Sequence, residues 1–367
     1  AYSALSKLKR GDVDAAVDDL QAGLAKVEAE IPRNMYETIG AVARALLDSG
    51  KYAAARAHYI MQLAMSRNED ERALQAVVGM GSPEQVPALL KQDRSFLECP
   101  EDAAWAKEYQ EALDHALNGR WAAAAERLKQ LDEKVPNQPA ILQGLALLYL
   151  YLGKDATVDY WRAFAASEGI AFEDAVEAEA LVELMRGDQE GDNVDIVQLA
   201  YPVEDTDALM EKLLSDSRVS TVGADPMQFA SEGQPPPKGV FWLLDRPMPA
   251  SGSEINVETV PRVIADIIVE GKQTDREARV TLNISKDDRF DDGTKLLHDI
   301  GGDLMSEESE EKVVGSVRRE AVAMGSKAMF PDDATVELRR QVMMGDRDRG
   351  VFEVWPKTKM ATLNNKT

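Results

Sequence analysis

The sequence predicts an α+β multidomain protein. An all-α solenoid of helical repeats is expected over residues 1–190, and an α+β domain with an antiparallel sheet covered by helices over residues 191–367. Three observations carry this reading. Turns marked by glycine recur at Gly11-Asp12, Gly50-Lys51, Gly81-Ser82, Gly119-Arg120 and Gly153-Lys154, with spacings of 39, 31, 38 and 34 residues. Small residues flank them at fixed offsets, with Ala4, Ala43, Ala112 and Ala146 seven before and Ala16, Ala55 and Ala124 five after. Beyond Gly187 the composition shifts to a polar linker, DQEGDN (188–193), and then to β-rich runs.

In the first half each glycine ends one helix and permits the left-handed backbone of a tight turn. The flanking alanines fall where the two helices of a hairpin cross, and small side chains let the backbones approach. Nine residues past each glycine, Leu20, Tyr59, Leu90 and Leu128 supply the large residue for the next interface, a trend that Arg162 breaks. The unit around Gly81 fits worst: Leu74 takes a small-residue position, and Pro83 and Pro87 crowd its second helix. FEDAVEAEALVELMRG (172–187) reads as a capping helix, with Gly187 lying 34 residues after Gly153. About five hairpins and a cap are therefore expected. This small–turn–small–large order resembles the tetratricopeptide family, whose unit is about 34 residues. Pro136, seventeen residues after Gly119, matches the proline that closes that unit, and Pro32 comes four residues late on the same count.

In the second half VDIVQLAYPV (194–203) reads as a strand. DTDALMEKLLSD (205–216) reads as a helix with Asp205 as N-cap and Leu209, Leu213 and Leu214 on one face. RVSTVGADPMQF (218–229) is a strand interrupted near Pro226, EGQPPPKG (232–239) a loop, and GVFWLLD (239–245) a buried strand. PRVIADIIVEGK (261–272) and EARVTLNIS (277–285) alternate well enough to pair as an antiparallel hairpin across QTDR. Three helices are expected at the end, over 291–300, 306–325 and 332–343, the second opening on the acidic run SEESEEK. Repeated βαβ crossovers and a phosphate-binding glycine loop are both missing, which disfavours a dinucleotide fold. PPPKGVFWLLDRPMP and VEGKQTDREARVTL resemble segments of an uncharacterised bacterial family, chiefly of planctomycetes, that follow tetratricopeptide-like helices. That resemblance implies no established activity.

Composition narrows the function. Lys and Arg number 42 against 65 Asp and Glu, a net charge of −23 that repels phosphate backbones and anionic lipid heads. No apolar run approaches the ~20 residues that span a bilayer, and no signal peptide is visible, so the expectation is a cytoplasmic chain with no nucleic-acid or membrane partner. One cysteine, Cys99, and three histidines, His58, His115 and His298, argue against a disulfide framework, a metal centre or a His-based triad, so no cofactor, metal or catalytic residue is expected. KDDRFDDG (286–293) fails as a calcium loop, because Phe290 takes a ligand position and no Glu closes it. MRGDQEGDN (185–193) and MGDRDRG (344–350) read as linker and helix end. Lys272, Asp275, Arg276, Glu277 and Arg279 read as a polar hairpin end, and His298 as a structural or surface residue. Glu98 and Glu101 beside Cys99 would raise its thiol pKa, which disfavours a reactive nucleophile. Trp105, Trp121, Trp161, Tyr149 and Tyr151 read chiefly as core packing.

The expected function is non-enzymatic protein–protein interaction. The tetratricopeptide resemblance implies that the first helix of each hairpin walls a concave groove. Its positions ten, nine, six and two before the glycine give Gly40, Ala41, Arg44 and Asp48; Tyr109, Gln110, Leu113 and Leu117; and Gln143, Gly144, Leu147 and Tyr151. Family members that clamp a chain terminus use lysine and asparagine at such positions, and this set has neither. The partner-binding set is therefore Arg44, Tyr109, Gln110, Leu113, Gln143, Leu147 and Tyr151. It is expected to hold an internal, partly apolar peptide segment, with Gln110 and Gln143 bonding its backbone. Residues that merely line a self-filled superhelix would give the same pattern. Two other functions stay open: an enzyme with its site in residues 191–367, and an acidic decoy for a basic protein.

Overall fold

The computed structural model describes residues 1–27, 31–66, 70–81, 86–186, 193–223, 226–229, 235–274 and 276–359. Ser82, Pro83, Gly187, Asp275, the linker over 188–192 and the start of EGQPPPKG lie outside the described residues. The chain divides into two compact units, Ala1–Gly187 and Asp188–Thr367.

The first unit is helical. It comprises α1 (Tyr2–Leu8), α2 (Val13–Leu24), α3 (Arg33–Asp48), α4 (Tyr52–Met65), α5 (Glu71–Gly81) and α6 (Ala88–Lys91). These are followed by α7 (Ala106–Leu117), α8 (Trp121–Lys134), α9 (Pro139–Tyr151), α10 (Ala156–Ala165) and α11 (Phe172–Met185). Hairpins α1/α2, α3/α4, α7/α8 and α9/α10 turn at Gly11, Gly50, Gly119 and Gly153, whose φ values of 78°, 75°, 70° and 65° are the left-handed ones a glycine allows. Ala4, Ala16, Ala43, Ala55, Ala112, Ala124 and Ala146 are fully buried, and α11 packs on α10.

The third repeat, around Gly81, departs from the hairpin pattern. Leu74 is 45% exposed, so α5 does not bury a small-residue seam there. The second helix shrinks to the four residues of α6, which Pro87 begins, and from Gln92 to Cys99 the chain has no helix or strand. With that helix curtailed, later hairpins pack against earlier ones rather than on chain neighbours alone: α8 touches α2, and α9 touches α4. Gln21 of α2 clasps the Gly119 turn, its Nε2 donating to Gly119 O (3.2 Å) and its Oε1 accepting from Ala122 N (3.0 Å). Lys51 Nζ likewise donates to Gly153 O at 2.8 Å.

The second unit is a six-stranded antiparallel sheet with helices. In chain order it runs β1 (Asn193–Pro202), α12 (Thr206–Ser215), β2 (Val219–Thr221), β3 (Gly239–Leu244), β4 (Val263–Glu270) and β5 (Arg279–Ser285). Then come α13 (Phe290–Gly301), β6 (Glu310–Arg318), α14 (Arg319–Met324) and α15 (Val336–Arg349). The strand order is β2-β3-β4-β5-β1-β6, so the first strand lies between the last two. Alternation puts Val197, Leu199, Phe241, Leu243, Ile267, Val280 and Leu282 on one face, where Leu209 and Leu213 of α12 and Leu297 and Ile300 of α13 complete a core. Asp205 caps α12, accepting from Asp207 N and Ala208 N. Leu214, expected on the buried face, is 61% exposed. The second expected strand is reduced to β2, followed by a 3₁₀ turn at Pro226–Phe229.

The main correction lies in 306–325, where the helix expected from the acidic run is instead the edge strand β6 and the short helix α14. Val313, Val314 and Val317 are β-branched, and Gly315 lowers helical propensity further. Pairing with β1 then decides the outcome.

Enlarging the alanines at the helix crossings tests the packing. Ala55→Leu and Ala124→Leu are each expected to destabilise the first unit by roughly 1–3 kcal/mol in thermal melts. Leu74→Ala, at an exposed site, should shift the melt little.

Candidate functional site

The stretch between α6 and α7 crosses the faces of α7 and α9, where most of the expected partner-binding residues lie. Gln143 of α9 brackets Phe96: its Nε2 donates to Ser95 O at 2.8 Å, and its Oε1 accepts from Leu97 N at 3.2 Å. The side-chain amide thus serves the backbone as a neighbouring strand would. Tyr109 of α7, 1% exposed, donates its hydroxyl to Leu97 O at 2.8 Å and approaches Ala140 O at 3.3 Å. Tyr151 donates to Arg94 O at 3.3 Å. Burial pushes the Tyr151 phenol up to about 12 and raises that of Tyr109 further, so both stay protonated donors.

Residues 92–99 of this stretch form a strap, and its side chains secure it at one end. Asp93 pairs with Arg56 of α4 at 2.8 Å, and Arg94 pairs with Glu177 of α11 at 3.2 Å while donating to Leu89 O at 2.8 Å. Phe96, Leu97 and Cys99 pack on the helical core, whereas Asp93, Ser95 and Glu98 are exposed. Gly144 leaves room for Leu128: an added Cβ would stand 2.7 Å from Leu128 Cδ1, whereas the Phe96 ring at 3.8 Å would be in ordinary contact.

The remaining members of the set separate. Leu113 is half-buried against the core, and Leu147 is fully buried and faces no opening. Gln110 points outward and bonds Asp114 on its own helix at 3.0 Å, so it does not bind the strap backbone as expected. Arg44 is exposed and paired with Asp48 at 3.1 Å, away from this cluster. Arg56, Glu177 and the strap itself were not in the sequence-derived set. The signal was present in the run from Asp93 to Cys99, which lacks helical period and stands between Pro87 and Pro100.

Behind the strap, Trp121 lies 5.3 Å from the Tyr151 ring and 4.8 Å edge-on from His58. His58 is fully buried, its Nδ1 at 2.9 Å from Ala54 O, and burial pushes its pKa down to about 4. Burial also raises the Cys99 thiol.

The second unit has a cleft of about 770 Å³ walled by α13, α14, α15 and the start of β4. Three ion pairs lie in its wall: Arg246 with Asp245 at 3.0 Å, Arg262 with Asp346 at 2.5 Å, and Arg289 with Asp287 at 2.6 Å. Ser326 adds a 2.8 Å bond to Asp346, so this network ties α15 to β4. His298 lies elsewhere, edge-on to Tyr201 at 4.9 Å. At the hairpin end, Arg276 and Arg279 both bond Glu270, and Lys272 pairs with Glu277 at 2.9 Å. Among the described residues no three His, Cys, Asp or Glu side chains group as a metal site, and no helix is long and apolar enough to cross a membrane.

Searches of protein-family models, curated proteins and solved structures find nothing that matches this chain.

Two measurements probe the site. Gln143→Ala leaves Ser95 O and Leu97 N without their partner, a loss of about 1–3 kcal/mol felt locally, and amide exchange at Leu97 should quicken while that of α3 does not. The unfolded chain protonates His58 near 6.5 and the folded one only near about 4. Stability fully present above the upper value is therefore lost as pH falls toward the lower, by up to about 3 kcal/mol. His58→Gln should flatten that part of the pH profile of unfolding.

Proposed function

We propose that this chain is a non-enzymatic, tetratricopeptide-like interaction protein whose first unit grips an extended, internal segment of a partner protein. One observation carries the reading. Tyr109, Gln143 and Tyr151 bond four backbone groups of a segment with no regular structure, and backbone contacts of this kind accept many sequences. The segment now held is the chain's own, so a partner would take the place of residues 92–99. Grips on mid-chain carbonyls and an N–H suit an internal segment rather than a free terminus. A net charge of −23 favours a protein partner over nucleic acid. An enzyme would need convergent, buried ionisable groups in the cleft of the second unit, and a decoy a continuous acidic face.

The test supplies the segment in trans. In a variant whose residues 92–99 are replaced by a Gly/Ser linker, a synthetic peptide of residues 91–100 should bind measurably by calorimetry. Gln143→Ala together with Tyr151→Phe in that background should weaken binding, at about 0.5–1.5 kcal/mol per hydrogen bond lost. A folded linker variant that does not take up the peptide would overturn the reading.

A further inference from the structure

The strap is held by its side chains in a fixed order as well as by its backbone. Two neighbouring residues meet charges of opposite sign, Asp93 against Arg56 of α4 and Arg94 against Glu177 of α11. The Arg56 side chain is 14% exposed, and its buried Nε has no hydrogen-bond partner among the described residues. A guanidinium so placed loses stability when no carboxylate stands against it. Arg94 is 11% exposed and also donates to Leu89 O at 2.8 Å, so its site offers acceptors and disfavours an acid. Phe96 and Leu97 then pack on the helical core, whereas Ser95 and Glu98 are exposed.

We infer that the first unit recognises a partner segment reading acidic, basic, any residue, aromatic, aliphatic, in the order of Asp93-Arg94-Ser95-Phe96-Leu97. This rests on the reading that a partner takes the strap's place, and it adds what that partner must carry. The backbone grips fix the direction. Tyr151 holds the carbonyl of the basic residue, Gln143 spans the aromatic one, and Tyr109 holds the carbonyl of the aliphatic one. The charged pair therefore lies at one end of the grip and the apolar pair at the other. A segment with its two charges exchanged sets like against like at both Arg56 and Glu177.

Peptides that differ only in order test this. In the full chain with residues 92–99 replaced by a Gly/Ser linker, a synthetic peptide of residues 91–100 is titrated by calorimetry. A second peptide carries Asp93→Arg with Arg94→Asp, at identical composition. It should bind about three- to thirtyfold more weakly, through like charges at both positions. Arg56→Glu with Glu177→Arg in the linker chain should reverse the preference. Phe96→Ala in the first peptide should cost about tenfold through lost apolar contact. Equal binding of all three peptides would overturn the inference and leave the backbone grip standing, whereas binding of none would overturn both.

The intact chain gives a second readout that needs no linker. Asp93→Arg with Arg94→Asp should quicken amide exchange at Leu97, and adding Arg56→Glu with Glu177→Arg should slow it again. One rate in all three chains would also overturn the inference.

Discussion

Close approach of helices at alanine is the constraint on which the first unit depends. Ala112 and Ala124 bring α7 and α8 together, and Ala146 brings α10 close enough for Thr157 to donate to Ala146 O at 2.9 Å. Contacts at this range leave no room for a longer side chain, because protein interiors pack at near-crystalline density. They also hold α7 and α9 where Tyr109, Gln143 and Tyr151 reach the same short stretch of backbone. The strap then follows from a simple requirement. Backbone groups without helix or ladder partners, when laid against a core, must bond side chains or lose stability.

Polar links in the second unit act differently. Most of its ion pairs are solvent-facing and add little stability. Among the described residues Arg262 with Asp346 is one of the more buried pairs, at 12% and 9% side-chain exposure. Burying such a pair costs desolvation that its attraction barely offsets, so its main effect is positional. It seats α15 against the start of β4, beside a small apolar cluster of Ile255, Val260 and Val342.

The sequence made hairpin turns legible because left-handed backbone calls for glycine, and strands legible where alternation is strong. It was misleading where a local signal competed with a distant one. The acidic start of 306–325 suits a helix N-terminus, yet β1 lies more than a hundred residues away and its pairing decides the outcome. At the candidate site the limit was angular. Neighbouring residues on a helix are ~100° apart, so Tyr109 and Gln110 cannot both face the strap, although family spacing assigns both inward. Positions at one offset diverge too: Tyr151 meets the strap whereas Leu117 is 77% exposed. The curtailed third repeat explains the occupant, since a segment without periodicity announces neither its path nor its partners.

The place of β1 has a consequence for how the chain is made. Its partners are β5 and β6, and the pairing of Asn193 with Arg318 closes a loop longer than a hundred residues. Loop closure of that length is entropically slow, and sheets built from distant strands fold late. During synthesis the helical unit can emerge whole before any strand has a mate. β1 then waits at the exit with both edges bare until β5 appears, and keeps one bare until β6 follows. Order of synthesis therefore runs against order of assembly in the second unit, and that interval is when the nascent chain is most exposed to wrong pairing.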